Sequence, residues 1–332
     1  MEVKKAKREK LKVPIMITGA SGSGKTVSAL LIAKGIVEKM YPDLSDEEQW
    51  LKIGVIDTEH KRALLYAEST VAGVYIGEFL HLDFEPPYTV NNYIQAFRLM
   101  KAEGIEVVII DSISHAWSGE GGILEQVESF TKGNSSKNMQ AWAKVKPLEK
   151  EFLKLVTGNS VYVIATSRSK QAYDFDKDEK GKTKIVKMGL KPDQKDALEY
   201  EFAIALRMDQ DHIAEATKDN SNMFDLPFNV SLETGRKIYD WSDQGIDLEK
   251  QRRELVMDSI GMSEESSTRK SVFDEMMGKA NGRRIDDLPI KSLKNLKGIL
   301  ERTEEPENDD AKEDEEVRQE ELFDKNKPPV KE

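Results

Sequence analysis

Residues Gly19-Ala20-Ser21-Gly22-Ser23-Gly24-Lys25-Thr26 follow the spacing G-x-x-x-x-G-K-[ST], which suits a chain of phosphate groups. Glycines at the first, fourth and sixth positions let the backbone curl until successive N–H groups face inward at anionic oxygens. The Lys25 ammonium would then reach the β- and γ-phosphates, and the Thr26 hydroxyl would ligate Mg²⁺. ATP with Mg²⁺ is the expected ligand. A second element of the same chemistry is Asp111, which ends the run Val107-Val108-Ile109-Ile110. A carboxylate at the tip of a buried strand beside a phosphate loop would hold the metal's water shell. A third candidate is the Asp57-Thr58-Glu59-His60 segment that follows Ile53-Gly54-Val55-Ile56. A carboxylate emerging from the strand next to the loop-bearing strand could polarise an attacking water; taken alone, the segment reads rather as a solvated strand end.

Such residues act only if secondary structure brings them together. Val13-Pro14-Ile15-Met16-Ile17 reads as a buried strand and Val27–Met40 as a helix with an apolar face, so the glycine-rich segment lies between strand and helix, where an anion also meets the helix's positive end. Ile53–Ile56, Val107–Ile110 and Val161–Ala165 are further β-branched runs. Runs of this kind separated by helical patterns predict an α/β fold, a mostly parallel sheet with helices on both faces. Phe202–Met208, His212–Thr217 and Phe228–Ser231 predict extra, antiparallel strands at one edge. The resulting division is a basic lead-in over 1–12, a core over 13–247, a small helical module over 248–300 and a disordered acidic tail over 301–332. In the module, helices over Glu249–Ile260, Arg269–Ala280 and Ile290–Leu300 would be broken by Gly261, Gly282 and Pro289.

Composition closes off other chemistries. There is no cysteine, and the four histidines (His60, His81, His115, His212) show no metal-ligand spacing. No apolar run nears the roughly 20 residues of a membrane span, and the first residues are charged rather than apolar, so a cytoplasmic protein without membrane contact is expected. The net charge is −11, but residues 301–332 carry 14 acidic and 6 basic side chains, so the tail holds most of the excess. The acidity therefore says little about what the remainder binds.

The order strand, Gly19–Thr26, Ile56–His60, Ile109–Ser112 resembles the RecA-type P-loop ATPase core. Leu82–Tyr88, Asp111–Trp117, Ala141–Val145, Gly189–Pro192 and Leu198–Phe202 further resemble a family of bacteriophage RecA-like ATP-binding proteins associated with recombination and single-strand annealing. The resemblance implies an ATPase that acts on DNA in recombination, annealing or replication, as a homo-oligomer in a ring or filament. It makes Glu59 the catalytic carboxylate. It also implies a Lys-x-Arg pair reaching a neighbouring subunit's γ-phosphate; here that stretch reads Lys218-Asp219-Asn220, leaving Lys218 alone as a point charge. Thr166 and Ser167, at the tip of the Val161–Ala165 strand, could sense the γ-phosphate or simply cap local backbone. The loop from Gln171 to Lys187 would face single-stranded DNA through Lys180, Lys182, Lys184 and Lys187, with Trp117, Trp142 or Tyr173 as stacking platforms; an ordinary β-hairpin explains it as well. Gln319, Leu322 and Phe323 in Gln-Glu-Glu-Leu-Phe resemble the pentapeptide that docks on bacterial sliding clamps, which opens a replication partner such as the clamp or a single-strand-binding protein. Two other readings share these residues: a loader that remodels a replication protein, and a slow-turnover scaffold regulated by nucleotide.

Overall fold

Hydrophobic alternation sets the architecture. Ile15 and Ile17 turn to one side of their strand and Met16 to the other, and each side is buried in its own apolar cluster. In the computed structural model, which describes residues 5–158, 160–177, 183–194, 198–280 and 282–303, contacts divide the chain into two units.

Within residues 11–244 the strands are β1 (Pro14–Gly19), β2 (Ile53–Asp57), β3 (Ser69–Val71), β4 (Val74–Ile76), β5 (Leu80–Asp83), β6 (Val107–Asp111), β7 (Tyr162–Lys177), β8 (Thr183–Pro192), β9 (Ile204–Met208), β10 (Ile213–Asp219) and β11 (Phe228–Asn229). The helices are α1 (Lys25–Met40), α2 (Asp46–Trp50), α3 (Val90–Ala102), α4 (Ser114–Ser118), α5 (Ile123–Thr131), α6 (Asn138–Thr157) and α7 (Leu232–Ser242). The main sheet runs β11-β10-β9-β1-β7-β6-β2-β5, with β8 paired to the far part of β7, while β3 and β4 form a separate hairpin. From β9 to β5 every pairing is parallel. This is a mostly parallel α/β core, with the glycine-rich segment between its first strand and first helix.

Helices cover both faces. α1 and α7 pack on the face of Ile15, Ile17, Val55 and Ile109; α3, α5 and α6 pack on the face of Met16, Ile56, Ile110 and Val163. α1 and α7 approach so closely that a Cβ on Gly35 would lie 2.0 Å from the Leu232 carbonyl oxygen, and one on Gly235 would lie 2.1 Å from that of Ile32. Only glycine permits this contact.

Four expectations need correction. The segment expected as the first antiparallel edge strand is β9, which lies parallel to β1 with Ile15 opposite Ile204; only β10 and β11 run antiparallel. A short turn over Asp209–His212 reverses the chain only after β9. The strand carrying Asp57 does not neighbour β1, because β7 and β6 stand between them. β5 was not anticipated, since Leu-His-Leu-Asp lacks a continuous apolar run, although it pairs along β2 from Gly54–Leu80 to Asp57–Asp83. Fourth, β7 does not stop at Ala165 but continues to Lys177 and turns back as β8.

The second unit contains residues 1–10 and 245 onward. It holds α8 (Leu248–Glu265), α9 (Ser267–Gly278) and α10 (Ile290–Arg302), packed through Leu255, Val256, Met276, Leu293, Leu296 and Leu300. Gly261 does not break the first helix. The cost of an interior glycine, about 1 kcal/mol against alanine, is small beside the packing of Leu255, Val256 and Met262 along the same helix. The helix ends at Ser266, whose hydroxyl accepts from the Arg269 N–H and caps the next one. Residues of the basic lead-in join this unit: Lys10 N–H donates to the Ile246 carbonyl at 3.0 Å, and Ile246 N–H to that of Arg8 at 2.9 Å. Among the described residues no helix is long and apolar enough to cross a membrane. The acidic tail from residue 304, with Gln319, Leu322 and Phe323, lies outside the described residues, as do Lys180 and Lys182.

Candidate functional site

Parallel strands bring their C-terminal tips to one rim, and there Gly19, Arg168, Asp111 and Asp57 end adjacent ladders of β1, β7, β6 and β2. Ligands of open α/β sheets sit in the crevice at that rim.

The phosphate loop bridges β1 and α1. Gly22 and Gly24 have φ of 82° and 86°, the left-handed region open to glycine at little cost. A Cβ on Gly19 would lie 2.4 Å from the Ser23 hydroxyl oxygen and 2.9 Å from the Met208 carbonyl, so this position also needs glycine. The Ser23 hydroxyl is buried without a hydrogen-bond partner among the described residues. The Lys25 ammonium folds back onto the loop, donating to the carbonyl oxygens of Ala20 at 2.8 Å and Gly19 at 3.1 Å. Burial lowers its pKa from the usual lysine value, against the pull of Asp111 and Glu59.

Thr26 donates its hydroxyl to Asp111 Oδ2 at 2.5 Å, and Thr166 donates to Oδ1 at 2.5 Å. Asp111 is 3% exposed. Burial pushes its carboxyl above the ordinary range, opposed by the two hydroxyls. A threonine hydroxyl touching a carboxylate, beside a loop with an unsatisfied buried hydroxyl, is an oxygen set that suits a hard cation such as Mg²⁺. Among the described residues no group of three acidic, histidine or cysteine side chains could hold a metal ion. The residues therefore fit a Mg²⁺ whose remaining oxygens come from phosphate and water.

Asp57 and Glu59, adjacent in sequence pattern, differ in setting. Asp57 is buried and accepts from the N–H groups of Glu59 (2.7 Å) and Ala63 (3.1 Å), with His81 Nε2 at 3.2 Å. It holds the turn that aims Glu59. Burial would raise the Asp57 pKa, but these donors bring it below the usual carboxylate value. Glu59, 7% exposed, accepts from the Ser112 hydroxyl at 3.1 Å and from Arg168 on both oxygens, Nε to Oε1 at 2.6 Å and a terminal nitrogen to Oε2. Burial raises its pKa, yet the Arg168 guanidinium outweighs that and the carboxyl lies below its ordinary value. Behind the pair, Thr58 ties β2 to the turn after β6: Ser112 N–H donates to its hydroxyl at 2.8 Å, and His115 Nδ1 lies 2.6 Å from it. Tyr93 donates to the Ser112 carbonyl at 2.9 Å, and Tyr88 stacks on His115 with centroids 4.7 Å apart.

The structure thus brings Lys25, Thr26, Asp111, Glu59 and Thr166 to one rim. Ser167 sits beside them but faces Ser114, hydroxyl to hydroxyl at 3.2 Å. Lys218 is elsewhere. It pairs with Ala205, level with Met16, about 10 Å below the loop along the strand, and its ammonium donates to the Tyr200 carbonyl. Lys184 and Lys187 lie on β8, opposite Asp176 and Tyr173. Trp117 and Trp142 pack against the core cluster with centroids 5.9 Å apart.

Arg168 and His115 were passed over in the sequence. Arg168 directly follows Thr166 and Ser167, but its reach across β6 to Glu59 depends on strand order, which no local pattern carries. The family model for the AAA domain matches residues 11–225, well over half of the chain. No curated protein sequence matches it.

Proposed function

The chain belongs to the AAA-domain family, and from that premise we propose that it binds ATP with Mg²⁺ and hydrolyses it to ADP and phosphate. The observation that carries this reading is the 2.5 Å contact of the Thr26 hydroxyl with Asp111 beside the Lys25 ammonium. Bound there, Mg²⁺ would neutralise charge on the β- and γ-phosphate oxygens. The loop N–H groups and the start of α1 would hold the phosphates, and the Ser23 hydroxyl would find an acceptor. Lys25 would leave the Gly19 and Ala20 carbonyls for the β- and γ-phosphates. Glu59 would orient water in line with the γ-phosphorus and take its proton as the new P–O bond forms and the bridging P–O bond to ADP breaks.

The finer reading is a homo-oligomer, ring or filament, that couples nucleotide state to single-stranded DNA in phage recombination, annealing or replication. Two features bear on it. Lys218 lies too far down the sheet to serve its own loop, and its ammonium, held by the Tyr200 carbonyl, would have to leave that contact to reach a neighbour's γ-phosphate. Residues 168–192, the segment of the β7–β8 hairpin, hold eight basic and four acidic side chains in a chain of net charge −11, a local excess suited to phosphates. Steady-state phosphate release with and without single-stranded oligonucleotide tests this: the wild type is expected to turn over faster with DNA, and Glu59→Gln to bind ATP without turnover. No stimulation and no DNA binding at low salt would favour a loader acting on protein.

A further inference from the structure

The carboxylate assigned to water is occupied. Arg168 engages both Glu59 oxygens through Nε and a terminal nitrogen, and Ser112 adds a third donor. A carboxylate held by a guanidinium fork is a poor proton acceptor. The Arg168 side chain is 43% exposed, and its backbone lies opposite Gly19, the first residue of the phosphate loop, in the β1–β7 ladder. A terminal phosphate drawn in by Lys25 would therefore arrive beside a second cation whose planar donors suit it. Arginine pairs bidentately with phosphate as readily as with carboxylate, and the phosphate brings more charge.

We propose that Arg168 is a γ-phosphate-binding residue supplied within the same chain, which exchanges the Glu59 carboxylate for the terminal phosphate and thereby frees Glu59 for the attacking water. This rests on the ATP-binding reading of the phosphate loop. With ADP there is no terminal phosphate to capture the fork, so Arg168 returns to Glu59 and the site rests closed to water. The exchange also has an outlet. Arg168 is the last β7 residue paired with β1, opposite Gly19, and the next residue, Ser169, opens the antiparallel ladder with β8 opposite Pro192. Its own carbonyl accepts from the Asp193 N–H at 2.6 Å, and its N–H donates to the Ser114 hydroxyl at 2.9 Å. A guanidinium that shifts between Glu59 and phosphate thus acts at the root of the basic hairpin.

The test is the affinity of the full-length chain for a non-hydrolysable ATP analogue and for ADP, each with Mg²⁺, measured by calorimetry. Arg168→Ala is expected to weaken the triphosphate analogue about tenfold or more while ADP changes less than twofold; Arg168→Lys should recover part of the difference. An equal loss for both nucleotides, or no loss for either, overturns the proposal. Should Arg168→Ala leave Glu59 too destabilised to fold, the pair Arg168→Met with Glu59→Gln removes both charges together, and the same collapse of the triphosphate-to-diphosphate ratio is expected. Lys25→Ala serves as the separate control, expected to lose both nucleotides. A wild-type chain that binds neither would sink the phosphate-loop reading and this proposal with it.

Discussion

Two threonines share one buried carboxylate, and replacing each by valine should separate structure from function. Thr26 and Thr166 each donate to Asp111 at 2.5 Å. Valine keeps the shape and removes the donor, leaving one carboxylate oxygen against a methyl group. A hydrogen bond to a charged group contributes about 1.5–3 kcal/mol, so each variant should lose that much. For a unit the size of residues 11–244 this is ~3–12 °C in melting temperature. Thermal unfolding in EDTA without nucleotide measures it. Nucleotide binding should then divide the two. Thr26→Val should lose the Mg²⁺-dependent part of ATP binding, because its hydroxyl would be a ligand. Thr166→Val should keep it. If neither variant changes stability, Asp111 does not depend on these hydroxyls. If both lose Mg²⁺ dependence equally, Thr26 has no privileged place at the metal.

Gly235→Ala would put a Cβ 2.1 Å from the Ile32 carbonyl oxygen and should cost about 3 kcal/mol or more as α1 and α7 separate; an unchanged urea midpoint would mean the helices are not so close. Asp219 accepts from Ser221 N–H and hydroxyl, Met223 N–H and Phe224 N–H. Burial opposes ionisation there, but the donors leave its pKa below the ordinary value. With the folded pKa depressed, the stability it contributes is present above the unfolded value of about 3.9 and is lost as pH falls through the folded value. Asp219→Asn should therefore flatten the acid side of the stability curve below about pH 4. A curve identical to that of the wild type would show that the carboxylate is not so held.

The phosphate loop was legible because its demands are local. Gly22 and Gly24 need positive φ, Gly19 needs no Cβ, and Lys25 and Thr26 must open a helix, all within eight consecutive residues. Asp111 was legible for a similar reason, since a β-branched run ending in a carboxylate marks a strand tip. What could not be read depends on which strands meet. Glu59 meets Arg168 only because β6 alone separates β2 from β7, and the placement of β9 beside β1 is set by the chain's crossover rather than by Ile204–Met208 itself. β5 was missed because His81 interrupts its apolar pattern, yet His81 lies against Asp57 and has a structural reason to be there. Gly261 points the opposite way: a weak local preference against helix gives way to the packing of Leu255 and Val256 before it and Met262 after it.

The central claim is that this rim holds the phosphates of ATP through Lys25. Calorimetric titration of Mg²⁺ with a non-hydrolysable ATP analogue into the wild type and into Lys25→Ala tests it most directly. The account predicts a saturable heat for the wild type, absent from a folded Lys25→Ala chain; equal affinity in the two would contradict it.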